Sequence, residues 1–249
     1  MRNFKNRALI IAIGSLLLVG CASTPMKDLK PSEMLVSQQN KYVQMESSKD
    51  LTGWEKGLWE HAHENYTLGQ KLLEPYKDKN VSKIQHAYGF MYQEGLGGLK
   101  KDFKKAVEHY KRAIKIDNYS ASLYNLSFLY RAGRGVQKDM DKYLELLQKS
   151  AKQGFVYAQF NLADNYHFGR NGLSEDFGMA YYWYQQASNQ GLARASRRIG
   201  WMYDRGEGFE QNDEKAFYWH KLAAKRGNKH SRGDMIRLKS ILYKKNKNR

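Results

Sequence analysis

The chain has 249 residues, of which 41% are hydrophobic, and its 42 Lys and Arg residues against 25 Asp and Glu residues give a formal net charge of +17. A single cysteine excludes an intramolecular disulfide and a cysteine-rich metal site. The positive charge favours an anionic partner, such as an acidic protein, anionic lipid headgroups or an anionic cell-wall polymer, although solvated faces and a basic tail explain it equally well.

Residues 1–20 are predicted to be a lipoprotein signal peptide. Three basic residues precede an apolar run from Ala8 to Gly20, which is shorter than the roughly 20 residues of a spanning helix. The run ends in "LVGC", which resembles the bacterial lipobox and implies that Cys21 carries acyl chains such as palmitate. Removal of residues 1–20 takes away three basic and no acidic residues, so 42 minus 3 basic against 25 acidic residues leave a formal net charge of +14.

The lipobox resemblance also implies a location in the cell envelope of a Gram-negative bacterium. Ala22 stands where an aspartate would resemble an inner-membrane retention signal, so the resemblance favours the outer membrane, facing the periplasm. That location makes nucleic acid an unfavoured partner. Residues 21–50 are polar, contain Pro25 and Pro31 and show little periodicity, so we expect a lipidated flexible tether.

Residues 51–83 are predicted to form an N-terminal capping helical region. Trp54, Leu58 and Leu73 supply an apolar face for it. The spacing of Gly69 and Leu73 matches that of the second helices in the repeats that follow, which predicts that this region ends in a degenerate second helix.

Residues 84–230 contain four tandem repeats. Each repeat has a tyrosine followed by a glycine-containing loop, and the tyrosines lie 38, 36 and 37 residues apart at positions Tyr92, Tyr130, Tyr166 and Tyr203. After each loop comes an Asp or Asn residue, at Asp102, Asp139, Asp176 and Asn212. Periodicity of this length indicates an array of similar structural units.

The loop "YRAGRGVQKD" could be either a phosphate-binding loop or a joint between two helices. A phosphate loop needs a strand before it, whereas the preceding residues have the apolar spacing of a helix. We therefore interpret Gly133 as the left-handed end of a first helix and Gly135 as the residue that permits a tight turn. Asp139 is then the N-cap of the second helix.

This pattern resembles the Sel1-like repeat, a relative of the tetratricopeptide repeat, and residues 195–227 match it most closely. The resemblance implies an all-α fold, a right-handed α-solenoid of paired antiparallel helices. The departures are Tyr143 for the usual alanine, Asp117 for the closing glycine, and one inserted residue at 97–98 and at 170–171. Residues 231–249 are predicted to be a C-terminal capping helix and basic tail.

The sequence shows no pattern of catalytic residues. His61, His63 and Glu64 are close in sequence, but side chains two residues apart on a helix point in different directions, and the His-Glu-x-x-His zinc signature is absent from the sequence. No serine has a nucleophile-elbow context. We therefore predict no catalytic residue, no metal and no cofactor, and a protein that is not an enzyme.

A partner-binding surface is predicted from the resemblance. In tetratricopeptide-like arrays the first helices line the concave side, and the side chains at three positions in each repeat do not pack against neighbouring helices. Those positions are His86, Phe90, Tyr124, Phe128, Arg131, Phe160, His167, Arg197, Trp201 and Asp204, with Gln93 and Asp164 sharing the spacing. The alternative is that Phe90, Phe128 and Trp201 belong to the core.

Two functions are compatible with these features. The first is a scaffold or adaptor for protein–protein interaction, held at the outer membrane and facing the periplasm, with an acidic protein segment as the favoured partner. The alternative is an immunity protein that binds and neutralises a secreted antibacterial effector of the phospholipase type. Some lipoproteins with similar repeats have that activity.

Overall fold

The computed structural model describes residue 51 and residues 53–247, and within them every regular element is helical. The eleven α-helices are α1 Gly53–Ala62, α2 Tyr66–Leu73, α3 Ser82–Glu94, α4 Phe103–Asp117, α5 Ser120–Ala132, α6 Met140–Lys152, α7 Val156–His167, α8 Phe177–Asn189, α9 Ala193–Arg205, α10 Asp213–Lys225 and α11 Ser231–Lys247. A 3₁₀ helix, Glu74–Tyr76, follows α2. The predicted signal peptide, Cys21 and the whole of the predicted tether lie outside the described residues. None of the helices in the described part of the chain combines the length and the hydropathy that a bilayer span requires.

The helices pack in sequential pairs. Helix α3 packs on α4, α5 on α6, α7 on α8 and α9 on α10, while each second helix also contacts the first helix of the next pair. Helices α1 and α2 form a further pair before the repeats, and α11 packs on α10 after them. This arrangement confirms the predicted all-α solenoid.

The joints between paired helices have the geometry that the repeated residues predict. Gly133 ends α5 in the left-handed region with φ 65°, and its N–H donates to the carbonyls of Leu129 and Tyr130. The carboxylate of Asp139 caps α6 by accepting a 2.8 Å hydrogen bond from the backbone N–H of Lys142. The other three predicted N-caps make the same contact three residues ahead, at Asp102, Asp176 and Asn212.

The second glycine of the loop does more than permit a turn. A Cβ atom at Gly135 would lie 2.4 Å from the carbonyl oxygen of Phe103, the first residue of α4. The equivalent Gly208 would place a Cβ 2.6 Å from the Cβ of Phe177, the first residue of α8. The second glycine therefore lets these two loops contact the preceding helix pair closely, which sequence reasoning did not predict.

Two departures from the repeat pattern have local consequences. The loop with the insertion at 170–171 is relaxed, because a Cβ at Gly172 would come no closer than 3.6 Å to any neighbouring atom. At the end of α4 the left-handed residue is Asn118, with φ 55°, one residue after the predicted position. Asp117 stays helical and accepts a 2.7 Å hydrogen bond from the hydroxyl of Ser82.

Both ends of the array are covered by helices. At the first end Leu58 and Leu73 are buried, and a Cβ at Gly69 would lie 3.0 Å from the backbone nitrogen of His61, so this glycine allows α1 and α2 to approach closely. At the other end α11 buries Leu238 completely. Ile236 and Tyr243 on the same helix remain 67% and 70% exposed, so α11 presents an open outer face.

Candidate partner-binding surface

Trp201 is the centre of an arginine cluster on α9. Its ring lies 4.1 Å from the guanidinium carbon of Arg197, 5.1 Å from that of Arg198 and 5.4 Å from that of Arg205. These distances permit cation–π attraction. The side chain of Trp201 is half-buried, so part of the ring is held by packing and part is open to a partner.

Acidic side chains already neutralise the arginines at this end of the array. Arg197 Nε lies 3.1 Å from Asp234 Oδ2 on α11, and Arg198 Nε lies 3.3 Å from Asp164 Oδ1 on α7. These pairs weaken the expectation that Arg197 binds an acidic partner directly, because it already has a carboxylate.

Two further pairs continue this charge compensation. Arg205 Nη1 lies 3.5 Å from Glu207 Oε1. The other carboxylate oxygen of Glu207, Oε2, lies 3.1 Å from Nε2 of His167. The predicted surface residue Asp204 pairs with Arg237 of α11.

Phe128 and Arg131 form a second exposed cluster, on α5. The guanidinium carbon of Arg131 lies 4.4 Å from the centroid of Phe128 and 5.5 Å from that of Tyr143. Phe128 is half-buried and Arg131 is exposed. Arg194 makes a similar contact on α9, 5.3 Å above Phe160.

Five of the predicted surface residues lie in the core, and all of them are at most 5% exposed: His86, Phe90, Tyr124, Phe160 and His167. Phe90 lies edge-on to His61 at 5.8 Å and beside Tyr66 at 6.3 Å, as the alternative for that residue expected. Nδ1 of His86 is 2.9 Å from the hydroxyl of Ser122 on the next first helix. Side chains enclosed in this way pack the repeats together and offer little area to a partner.

Four of the five remaining predicted residues and two further arginines define what we call the arginine–aromatic surface: Phe128, Arg131, Arg194, Arg197, Arg198 and Trp201. The fifth, Asp204, is left out because it is paired with Arg237. The residues of this surface lie on the first helices α5 and α9, on either side of α7. Contacts such as the 3.2 Å hydrogen bond from Asn161 Nδ2 to the hydroxyl of Tyr124 join α7 to α5, and Arg194 over Phe160 joins α9 to α7. Sequence reasoning missed Arg194 and Arg198. Arg194 is three residues before Arg197, and Arg198 is three residues before Trp201. This spacing could have indicated both, because residues three or four apart are neighbours on a helix.

Two buried histidines lie near the first end of the array, His61 on α1 and His86 in the first repeat. Neither ring nitrogen of His61 has a hydrogen-bond partner, and burial lowers the pKa of this residue to about 3. Burial, with a smaller contribution from His61, also lowers the pKa of His86 to about 3. His63 instead stacks on Trp59 at 3.9 Å, so the two rings of "HAHEN" point apart. The described residues contain no group of three His, Cys, Asp or Glu side chains placed to hold a metal ion.

Comparison with known proteins identifies the repeats. The Sel1 repeat family model matches residues 83–118, 120–155, 156–192 and 193–228. A Sel1 repeat protein from Oxalobacter formigenes is 27% identical, with 73% of each chain covered and a TM-score of 0.67. The immunity protein Pa5087 from Pseudomonas aeruginosa is 21% identical over 72% of this chain and 67% of that chain, with a TM-score of 0.52, which shows a shared fold alone.

A curated relative comes from a fungus. Chitin synthase regulatory factor 3 of Schizosaccharomyces pombe is 28% identical over 155 residues, which make up 59% of this chain. The match spans only 17% of the length of that regulator.

Proposed function

Because this chain belongs to the Sel1 repeat family, we propose that it is a scaffold or adaptor that holds a partner protein on the arginine–aromatic surface. The observation that carries the proposal is the half-buried Trp201 ring surrounded by three arginines. Tryptophan and arginine are enriched among the residues that dominate binding energy in protein interfaces. Ion pairs to neighbouring helices hold Arg197 and Arg198 in place, so these side chains lose little freedom when a partner binds.

Capture of the partner tests this proposal. The Cys21→Ser chain is used as bait in an envelope extract, and the retained proteins are identified. Trp201→Ala should weaken binding of the main retained protein about thirtyfold or more, which corresponds to about 2 kcal/mol. Tyr218→Ala is the matched control, because Tyr218 is 60% exposed on the second helix α10. Equal binding by Trp201→Ala and wild type, with both folded, would remove the surface from the proposal.

The second part of the proposal is a lipid anchor at Cys21, with the protein on the periplasmic side of the outer membrane. Its support is the "LVGC" sequence and the basic and apolar residues before it. Several acyl chains hold a protein firmly at a bilayer, whereas one chain binds marginally. Cys21→Ser should abolish incorporation of labelled palmitate, and unchanged labelling would refute the anchor. Ala22→Asp should keep the label and move the protein to the inner membrane, which tests location separately.

Neutralisation of a secreted effector is the alternative role for the same surface. A shared fold with an immunity protein supports it only at the level of architecture. The capture experiment separates the two roles, because an inhibitor should retain one effector in a one-to-one complex and a scaffold should retain several envelope proteins. Protection of cells against that effector, lost in Trp201→Ala, would establish the immunity role.

A further inference from the structure

Arg131 and Arg194 differ from the other arginines of the arginine–aromatic surface. Arg197 and Arg198 each face a carboxylate, at 3.1 Å and 3.3 Å. Across residues 51 and 53–247, neither Arg131 nor Arg194 forms an ion pair with an acidic side chain. Uncompensated positive charge on the surface is therefore concentrated at these two residues.

Arg194 has an unmet hydrogen-bonding requirement. Its Nε is shielded from solvent and has no hydrogen-bond partner, while the guanidinium lies over Phe160 at 5.3 Å. A buried donor without a partner is destabilising, and more so when it carries charge. An arriving carboxylate would therefore meet a cation that has already lost part of its hydration.

Arg131 is held in place from one side. It lies in the last turn of α5, and its guanidinium carbon lies 4.4 Å from the ring centroid of Phe128 and 5.5 Å from that of Tyr143. Arg131 also makes a hydrogen bond to the side chain of Tyr143. Because Arg131 is exposed, its other N–H groups can bind a carboxylate.

The two guanidinium groups are connected by packed side chains. Arg131 lies over Phe128, whose ring centroid is 4.8 Å from that of Tyr124. Tyr124 in turn accepts a 3.2 Å hydrogen bond from Asn161 of α7, which is next in sequence to Phe160, the ring beneath Arg194. The two arginines are nevertheless on different helices, α5 and α9, with α7 between them. Packed helices lie about 8–10 Å apart, so the axes of α5 and α9 are separated by two such intervals, about 16–20 Å, which is the length of about five or six extended residues.

We propose that Arg131 and Arg194 bind two carboxylates of one extended acidic segment of a partner protein, lying across α5, α7 and α9. A free phosphate ion is too small to bridge that span, which favours a peptide. This inference rests on the proposed function, since it names the chemistry of the partner on the same surface, and it moves the acid-binding role from Arg197 to Arg131 and Arg194.

Fluorescence anisotropy with a labelled hexaglutamate peptide tests the inference at low salt on the Cys21→Ser chain. Wild type should bind the peptide and should not bind hexaglutamine. The double variant Arg131→Gln/Arg194→Gln should lose at least tenfold in affinity. The double variant Lys149→Gln/Lys221→Gln removes the same charge from exposed sites on the second helices α6 and α10 and should lose less than twofold.

Several outcomes would overturn the inference. They are no hexaglutamate binding by wild type, equal losses in the arginine and lysine variants, or displacement of the peptide by millimolar inorganic phosphate, which would indicate a simple anion site. Circular dichroism of each variant establishes that the fold is intact, and Lys in place of Gln at both positions should restore part of the affinity, because charge returns without the planar fork.

The same variants separate this inference from the proposed function. If Trp201→Ala abolishes capture of the partner and Arg131→Gln/Arg194→Gln does not, the surface binds the partner and the acidic-segment inference fails. If neither change affects capture, the proposed surface itself fails, whatever the peptide does.

Discussion

The loops between paired helices and the arginine–aromatic surface obey different rules, although both belong to the same repeats. Gly133 and its equivalents Gly95 and Gly206 all end a first helix in the left-handed region. By contrast, the position that is occupied by Tyr124 in the second repeat is occupied by Arg197 in the fourth. Tyr124 is buried, whereas Arg197 is half-buried. Residues that recur in every repeat specify the backbone, whereas residues that change between repeats leave room for a particular partner.

The largest loss of stability is expected for Gly135→Ala, which changes a loop glycine. A Cβ would lie 2.4 Å from the carbonyl oxygen of Phe103, and alanine would also occupy a positive φ of 71°. We expect a loss of about 3–4 kcal/mol in the free energy of unfolding, from left-handed strain and overpacking together. Urea denaturation measures it. Gly154→Ala is the control, because it has φ 86° with no atom within 4 Å of the added Cβ, and should lose only about 1 kcal/mol.

The second prediction concerns the dependence of stability on pH that the buried His61 and His86 cause. The pKa of His61 and of His86 falls to about 3 on folding from the ordinary 6.5, so below pH 6.5 the unfolded chain binds protons that the folded chain does not. Stability is therefore lost as pH falls, by about 2 kcal/mol for each histidine between pH 7 and pH 5. Urea denaturation across this range should show it.

Two variants separate titration from packing in that experiment. His61→Leu should make the dependence of the unfolding free energy on pH shallower by about 1.4 kcal/mol per pH unit between pH 4 and pH 6. Phe90→Leu, which changes the ring packed against His61, should lower stability without changing the slope. Identical slopes for His61→Leu and wild type would contradict this account.

A smaller effect is expected at the helix caps. Asp139→Ala removes the 2.8 Å hydrogen bond to the backbone N–H of Lys142, and should lower stability by about 1 kcal/mol. Asp139→Asn keeps an acceptor at the same place and should be nearly neutral. Thermal melting compares the two, and equal losses would mean that the charge, rather than the cap, stabilises α6.

The smallest effect on stability is expected on the surface. Arg131→Gln should lower the free energy of unfolding by only about 0.5–1 kcal/mol, because Arg131 is exposed, has no acidic partner in the described part of the chain and loses only its contact with the rings of Phe128 and Tyr143. Urea denaturation beside the binding assay would show whether stability and recognition depend on separate residues. A loss above about 1 kcal/mol would place Arg131 among the residues that support the fold.

The sequence predicts the backbone of the repeats well because its signals are local. Gly133 ends its helix through its own positive φ, and Asp139 caps the next helix by accepting from an N–H three residues ahead. Both effects lie within one turn of the chain. The sequence predicts the surface less well, because burial at Tyr124 depends on side chains from neighbouring helices. The compensation of Arg197 depends on Asp234, which lies outside the matched repeats in α11, and no repeat spacing indicates that pair.

Amide hydrogen exchange on the chain bound to its captured partner shows directly which helices the partner covers. If the partner lies on the arginine–aromatic surface, exchange should slow along α9 from Arg194 to Trp201 and at the end of α5 around Phe128 and Arg131, with no change in α6, α8 or α10. Protection confined to α6, α8 and α10 would contradict the proposed surface, because the partner would then lie on the second helices.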